Sequence, residues 1–147
     1  MRLGLLFSLP VALVFSTSVG AQSADRDVVA MVERGAAVMK ANGKDTLIKK
    51  INAKDPQFAQ GAKYIALRDA KTGIVLAHPY NPSLIGKDLT DVPDAMGKRY
   101  RREIIELGRR QRTGWVDFMY KNPTSEQVEA KKVYVMLVED VTVEGYQ

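Results

Sequence analysis

VYVMLVEDVTVEGY, residues 133–146, decides the fold. Its first half, Val133-Tyr134-Val135-Met136-Leu137-Val138, is rich in β-branched residues but does not alternate polar with apolar, so as a strand it must be covered on both faces. A sheet with one wet face would not need that. Glu139-Asp140 pinches this run, Val133 to Glu139, away from Val141 to Tyr146, which reads as the next strand. Two covers must therefore come from elsewhere in the chain.

The first is upstream. From Asp25 to Asn42 the apolar residues Val28, Val32, Ala36 and Met39 recur every three to four positions and Gly43 follows, the pattern of an amphipathic helix with a glycine stop. A short helix, about Asp45 to Asn52, precedes a loop at Asp55-Pro56. The period then changes to two. Tyr64 to Arg68 and Ile74 to His78 flank Asp69-Ala70-Lys71-Thr72-Gly73 as a hairpin, and Trp115 to Tyr120 is a further strand.

The second cover is the long stretch from Pro79 to Gly114. It far exceeds the about 15 residues beyond which a loop carries function or structure of its own. The two X-Pro steps, His78-Pro79 and Asn81-Pro82, favour extended geometry, and Leu84-Ile85-Gly86 supplies apolar anchors and a turn. After Asp91 or Asp94 as N-cap, Ala95 to Arg112 reads as a helix with Tyr100, Ile104, Ile105 and Leu107 on its apolar side. The expected architecture is α+β: a five-stranded antiparallel sheet, a long N-terminal helix on one face, and a loop plus helix enclosing a pocket on the other.

Composition narrows the function. Arg2, an apolar run from Leu3 to Phe15 and the small residues before Ala21 read as a secretory signal peptide, residues 1–21, cleaved after Ala21. Residues 22–147 then form one domain, periplasmic or secreted, with no later segment long and apolar enough to span a membrane. The chain has no cysteine and one histidine, which excludes a disulfide framework and a closed nitrogen and sulfur metal site. No cofactor is expected. A net charge of +5, one less without Arg2, suits small anions better than nucleic acid outside the cytoplasm. Ser23, Ser83 and Ser125 lack a nucleophile-elbow context, so the chain does not read as an enzyme.

KANGK (40–44), GIVLAHPYNPSLIGKDL (73–89), GKRYRREIIELG (97–108), GWVDFMYKNP (114–123) and KKVYVMLVEDVTVEGYQ (131–147), in this order and spacing, resemble a Cache domain of the second single-Cache subtype, the extracytoplasmic relative of the PAS fold. The resemblance covers nearly all of residues 22–147. It implies a ligand-binding module of the kind that senses for chemoreceptors and sensor kinases, with small carboxylates as frequent ligands. Such receptors continue from the last strand into a second membrane helix, whereas here the chain stops at Gln147. The expectation is a soluble binding or signalling accessory protein, free or docked onto a membrane receptor or sensor kinase. The alternative is an envelope protein–protein interaction module without a small ligand.

An ionised carboxylate leaves water only where donors or a cation replace its hydration. His78 follows Ile74 and Leu76 at period two, at a strand end beneath the returning loop. Arg101 falls nearer the apolar face set by Tyr100 and Ile104, while the resemblance favours Arg102; either fork suits a carboxylate. Tyr100, Trp115, Tyr120 and Tyr134 are the aromatic candidates for the cavity wall. Lys132 shares a strand face with Tyr134 and Met136, so it reaches an anion or extends to water. A three-carbon acid of about six heavy atoms is limited to ~9 kcal/mol, roughly micromolar affinity.

Overall fold

The computed structural model describes residues 19–147. The expected leader lies outside these residues except for Val19 to Ala21, which sit in the exposed first turn of helix α1 (Val19–Asn42). Gly43, at φ +90°, ends α1, and α2 (Lys44–Asn52) follows. The sheet comprises β1 (Ala59–Gln60), β2 (Lys63–Asp69), β3 (Val75–Ala77), β4 (Thr113–Lys121), β5 (Val128–Val138) and β6 (Val141–Tyr146). Helix α3 (Tyr100–Gln111) precedes β4. The strand order is β1-β2-β6-β5-β4, all antiparallel, and β3 shares the outer edge of β2 with β1.

Both faces of β5 are covered, as its unbroken apolar run requires. On one face α1 buries Val28, Met31, Val32 and Met39, within a core that includes Ile65, Leu67, Val141 and Val143. Tyr134 and Met136 pack against that layer. Two glycines let α1 approach closely. A Cβ on Gly35 would meet Ile65 Cδ1 at 2.7 Å, and one on Gly145 would meet Val32 and Val28 at 2.5 and 2.6 Å. On the other face α3 places Tyr100, Ile104 and Leu107 against Val116, Phe118, Val133 and Val135. Each large side chain fully buried in these layers contributes about 1.5–3 kcal/mol.

Two elements depart from the sequence reading. α3 starts at Tyr100 rather than Ala95 because Asp94 is not its cap. The Asp94 carboxylate accepts the N–H groups of Met96 and Lys98 at 2.9 Å each and of Met119 on β4 at 2.7 Å. It therefore closes a turn, completed by Gly97 at φ +90°, and pins that turn to the sheet. β3 is shorter than the expected Ile74 to His78, since the pairing with β2 shifts register at Leu67/Arg68. The His78 N–H then bonds to Asn52 Oδ1 at 3.1 Å instead of to a strand. The additional strand, β1, is a two-residue edge piece.

Candidate ligand cavity

Helix α3 packs mainly over β4 and β5. The β2–β6 half of the same face lies beneath the segment running from His78 to Arg99, and a cavity of about 430 Å³ opens between them. The segment is held down where it recrosses β3: Val75 N–H donates to Lys87 O (3.0 Å), Gly86 N–H donates to Val75 O (2.8 Å), and Ile74 bridges to Asp88. Leu84 and Leu89 turn inward there and line the cavity.

Tyr64 and Arg68 from β2 and Tyr146 from β6 form the floor. Arg68 is 3 % exposed and its partner Glu144 0 %. Glu144 accepts from Arg68 Nε (2.8 Å) and Nη2 (3.3 Å), from Thr142 Oγ1 (2.9 Å) and from the Tyr146 hydroxyl (2.6 Å). Arg68 Nη1 also donates to Gly73 O at 3.3 Å. Burial works to lower the Arg68 pKa, but the adjacent Glu144 carboxylate outweighs it and holds the guanidinium charged. The Arg68–Glu144 cluster in the floor is thus electrically neutral and internally bonded.

Arg101 on α3 supplies the unspent charge. Its guanidinium lies 4.4 Å from the centre of the Tyr100 ring and makes one long bond, Nη1 to Val92 O at 3.4 Å. Among the described residues no carboxylate pairs with it. Lys131 stands at the rim, 3.9 Å from Glu129 and 5.8 Å from the Tyr120 ring centre. The Tyr64 and Tyr100 hydroxyls bond to no other described residue. No fully buried side-chain polar atom of the described residues lacks a partner, so both hydroxyls reach open space in the cavity they line. Burial raises both phenol pKa values, which keeps them protonated as donors.

His78 closes one side. Its Nδ1 accepts the N–H of Tyr80 (3.2 Å) and of Asn81 (3.0 Å), so the neutral ring carries its proton on Nε2. The ring packs 5.1 Å from Tyr64. Burial lowers its pKa; Arg101 and Arg68 act in the same direction and Glu144 against it. Protonating Nδ1 would remove the acceptor that shapes the segment's first turn. With the folded pKa depressed, this contribution is present above the ordinary value of about 6.5 and lost as pH falls toward the folded-state value. Hydrogen-exchange protection of the Tyr80 and Asn81 amides is therefore expected to fall once the pH drops below the ordinary value of about 6.5. In His78→Asn, whose Oδ1 can accept the same groups, it should stay flat. Equal pH dependence in both proteins would refute the assignment.

Of the eight candidate residues, the cavity gathers His78, Tyr100, Arg101 and Tyr120, the last 41 % exposed at the mouth. The other four point elsewhere. Arg102 pairs with Asp91 on the surface, Nη2 to Oδ1 at 2.6 Å. Trp115 and Tyr134 are register partners 5.1 Å apart, and Tyr134 packs against the α1 layer. Lys132 does reach an anion, Asp25 of α1, at 2.5 Å, passing 4.7 Å from the Trp115 ring centre. Trp115 and Tyr120 are an odd number of residues apart on β4, which sends them to opposite faces. Likewise His78 faces the cavity while Leu76 packs with the α1 layer, because the chain leaves the strand after Ala77. Sequence reasoning missed Tyr64, Tyr80, Lys131 and Tyr146, and above all Arg68 with Glu144. Their signal was a pair of opposite charges inside otherwise apolar strands.

Comparison with known proteins agrees with the fold. The family description "Single Cache domain 2" matches residues 27–143. No curated protein sequence matches significantly. A methyl-accepting chemotaxis protein from Vibrio parahaemolyticus RIMD 2210633 superposes with a TM-score of 0.69 at 20 % identity, over 86 % of this chain and 89 % of that one. A periplasmic sensor domain of a chemotaxis protein gives 0.65 at 19 % identity, over 93 % and 98 %. A Cache chemosensory domain, described for its carboxylic acid recognition, gives 0.61 at 17 % identity, over 86 % and 88 %. At such identities these likenesses concern the fold alone. The long N-terminal helix, the antiparallel sheet and the family match together place this chain in the single Cache domain 2 family.

Proposed function

We propose that the protein is an extracytoplasmic ligand-sensing domain whose cavity binds a small carboxylate, serving as a periplasmic binding or signalling accessory protein. The observation that carries this is the Arg101 guanidinium, facing a cavity and paired with no carboxylate among the described residues. The Tyr64 and Tyr100 hydroxyls and His78 Nε2–H are further donors without assigned partners. An entering carboxylate exchanges its hydration for these groups, and the charge-assisted bonds are the strong ones. The sequence-level leader supports an envelope location. Among the described residues no helix is long and apolar enough to cross a membrane.

The test is calorimetric titration with matched acids and amides. A carboxylate is expected to bind and its amide to bind at least about tenfold more weakly. Arg101→Met should reduce acid affinity by roughly 10- to 100-fold, the range for a hydrogen bond to a charged group. An amide that binds as well as its acid, or an Arg101→Met protein with unchanged affinity, would end this reading.

A further inference from the structure

We infer that the preferred ligand carries its carboxylate on a flat ring, as an aromatic or heteroaromatic acid does, rather than on a short aliphatic chain. The inference rests on the carboxylate reading and specifies the rest of the molecule.

Size is the first argument. The cavity, about 430 Å³, falls in the range of pockets that hold drug-sized ligands. A three-carbon acid has about six heavy atoms and leaves most of that space to solvent, forgoing the close packing that makes apolar contact favourable.

The second argument is the shape of the walls. Two ring stacks meet in the cavity: Tyr64 with Tyr146 (5.1 Å, 14°) and Tyr100 with Phe118 (4.3 Å, 10°). Phe118 abuts Tyr146 edge to face at 81°, so the stacks stand nearly at right angles. Tyr80 adds an edge contact to Tyr64 at 74° and, like Tyr120, remains exposed at the mouth, 45 % and 41 % respectively. Flat walls with alternating ring faces and edges complement a planar ring, whose own quadrupole favours offset-stacked or edge-to-face contact. A short aliphatic chain cannot use that directionality.

Charge placement is the third. The Arg68–Glu144 unit at the floor is neutral, whereas Arg101 lies beside Tyr100 and Lys131 near Tyr120. A charged group therefore belongs toward the α3 and rim side, within reach of the phenol hydroxyls, leaving the ring faces at the floor for an uncharged body. A ring acid has this polarity built in.

The experiment titrates the full domain with propionate, cyclohexanecarboxylate, benzoate and benzamide at one pH, and repeats propionate and benzoate on Tyr80→Ala, a change at an exposed side chain. Benzoate is expected to bind about tenfold or more tightly than propionate and more tightly than cyclohexanecarboxylate, which matches its size but not its flatness. Tyr80→Ala should weaken benzoate several-fold more than it weakens propionate. Propionate or cyclohexanecarboxylate binding as tightly as benzoate would overturn the ring inference while the carboxylate reading stands. Benzamide matching benzoate, or no binding by any acid, would overturn both.

Discussion

Glu144→Ala is expected to lower the unfolding free energy by about 3–5 kcal/mol, the range for removing one partner of a buried ion pair. The substitution breaks four hydrogen bonds at once. Arg68 loses both bonds on its Nε/Nη2 side, the Tyr146 hydroxyl loses its acceptor, and the Thr142 hydroxyl keeps only the Arg68 carbonyl oxygen at 3.4 Å. Arg68 cannot turn to water, being 3 % exposed, and it cannot shed its proton. Urea unfolding followed by far-ultraviolet circular dichroism measures the loss. Replacing both partners, Arg68→Met with Glu144→Leu, should recover much of it, because no buried charge is then left alone. A single-variant loss below about 1 kcal/mol would mean that water reaches the site and that the floor is not the sealed unit described.

Gly145→Val should cost about 3 kcal/mol, at the upper end of the range for overpacking. The added Cβ alone would lie 2.5 Å from Val32 Cγ2, 2.6 Å from Val28 Cγ1 and 3.4 Å from the Val28 carbonyl oxygen. The two close contacts are methyls of β-branched side chains, stiff at χ1 and carried on one helix, so α1 must lift from β6. Gly35→Ala meets chiefly the flexible tip of Ile65 at 2.7 Å and should cost less. Combining Gly145→Val with Val28→Ala should return part of the stability, a coupling expected of residues in contact. Purely additive losses in denaturant titrations would show that the helix is not seated on Gly145.

The architecture was legible because burial leaves a periodic trace. The unbroken apolar run Val133 to Val138 demanded two covers, and α1 and α3 supply them. Parity within a strand was the weaker link. Tyr120 and Trp115 cannot line one cavity, and Lys132 with Tyr134 follows Trp115 onto the α1 face once register pairs them. Arg68 and Glu144 were hidden for a different reason: a charge near a strand end ordinarily meets solvent, and only the β2–β6 pairing brings them together across 76 positions of sequence. The start of α3 was misjudged because Asp94 can cap a helix or bind a neighbouring strand, and local sequence does not reveal the distant N–H of Met119 that it holds.

The strand order also has a kinetic consequence. β6, made last, lies between β2 and β5 and pairs with both. Its hairpin with β5 is local, but Tyr64 can meet Tyr146 only across most of the chain, a closure whose entropy must be met before its contacts form. Until β6 is in place, the N-terminal helices and the β2–β3 hairpin have no central strand to join. Ring stacking at the cavity floor, like the Arg68–Glu144 pair, thus cannot form until β6 has joined β2.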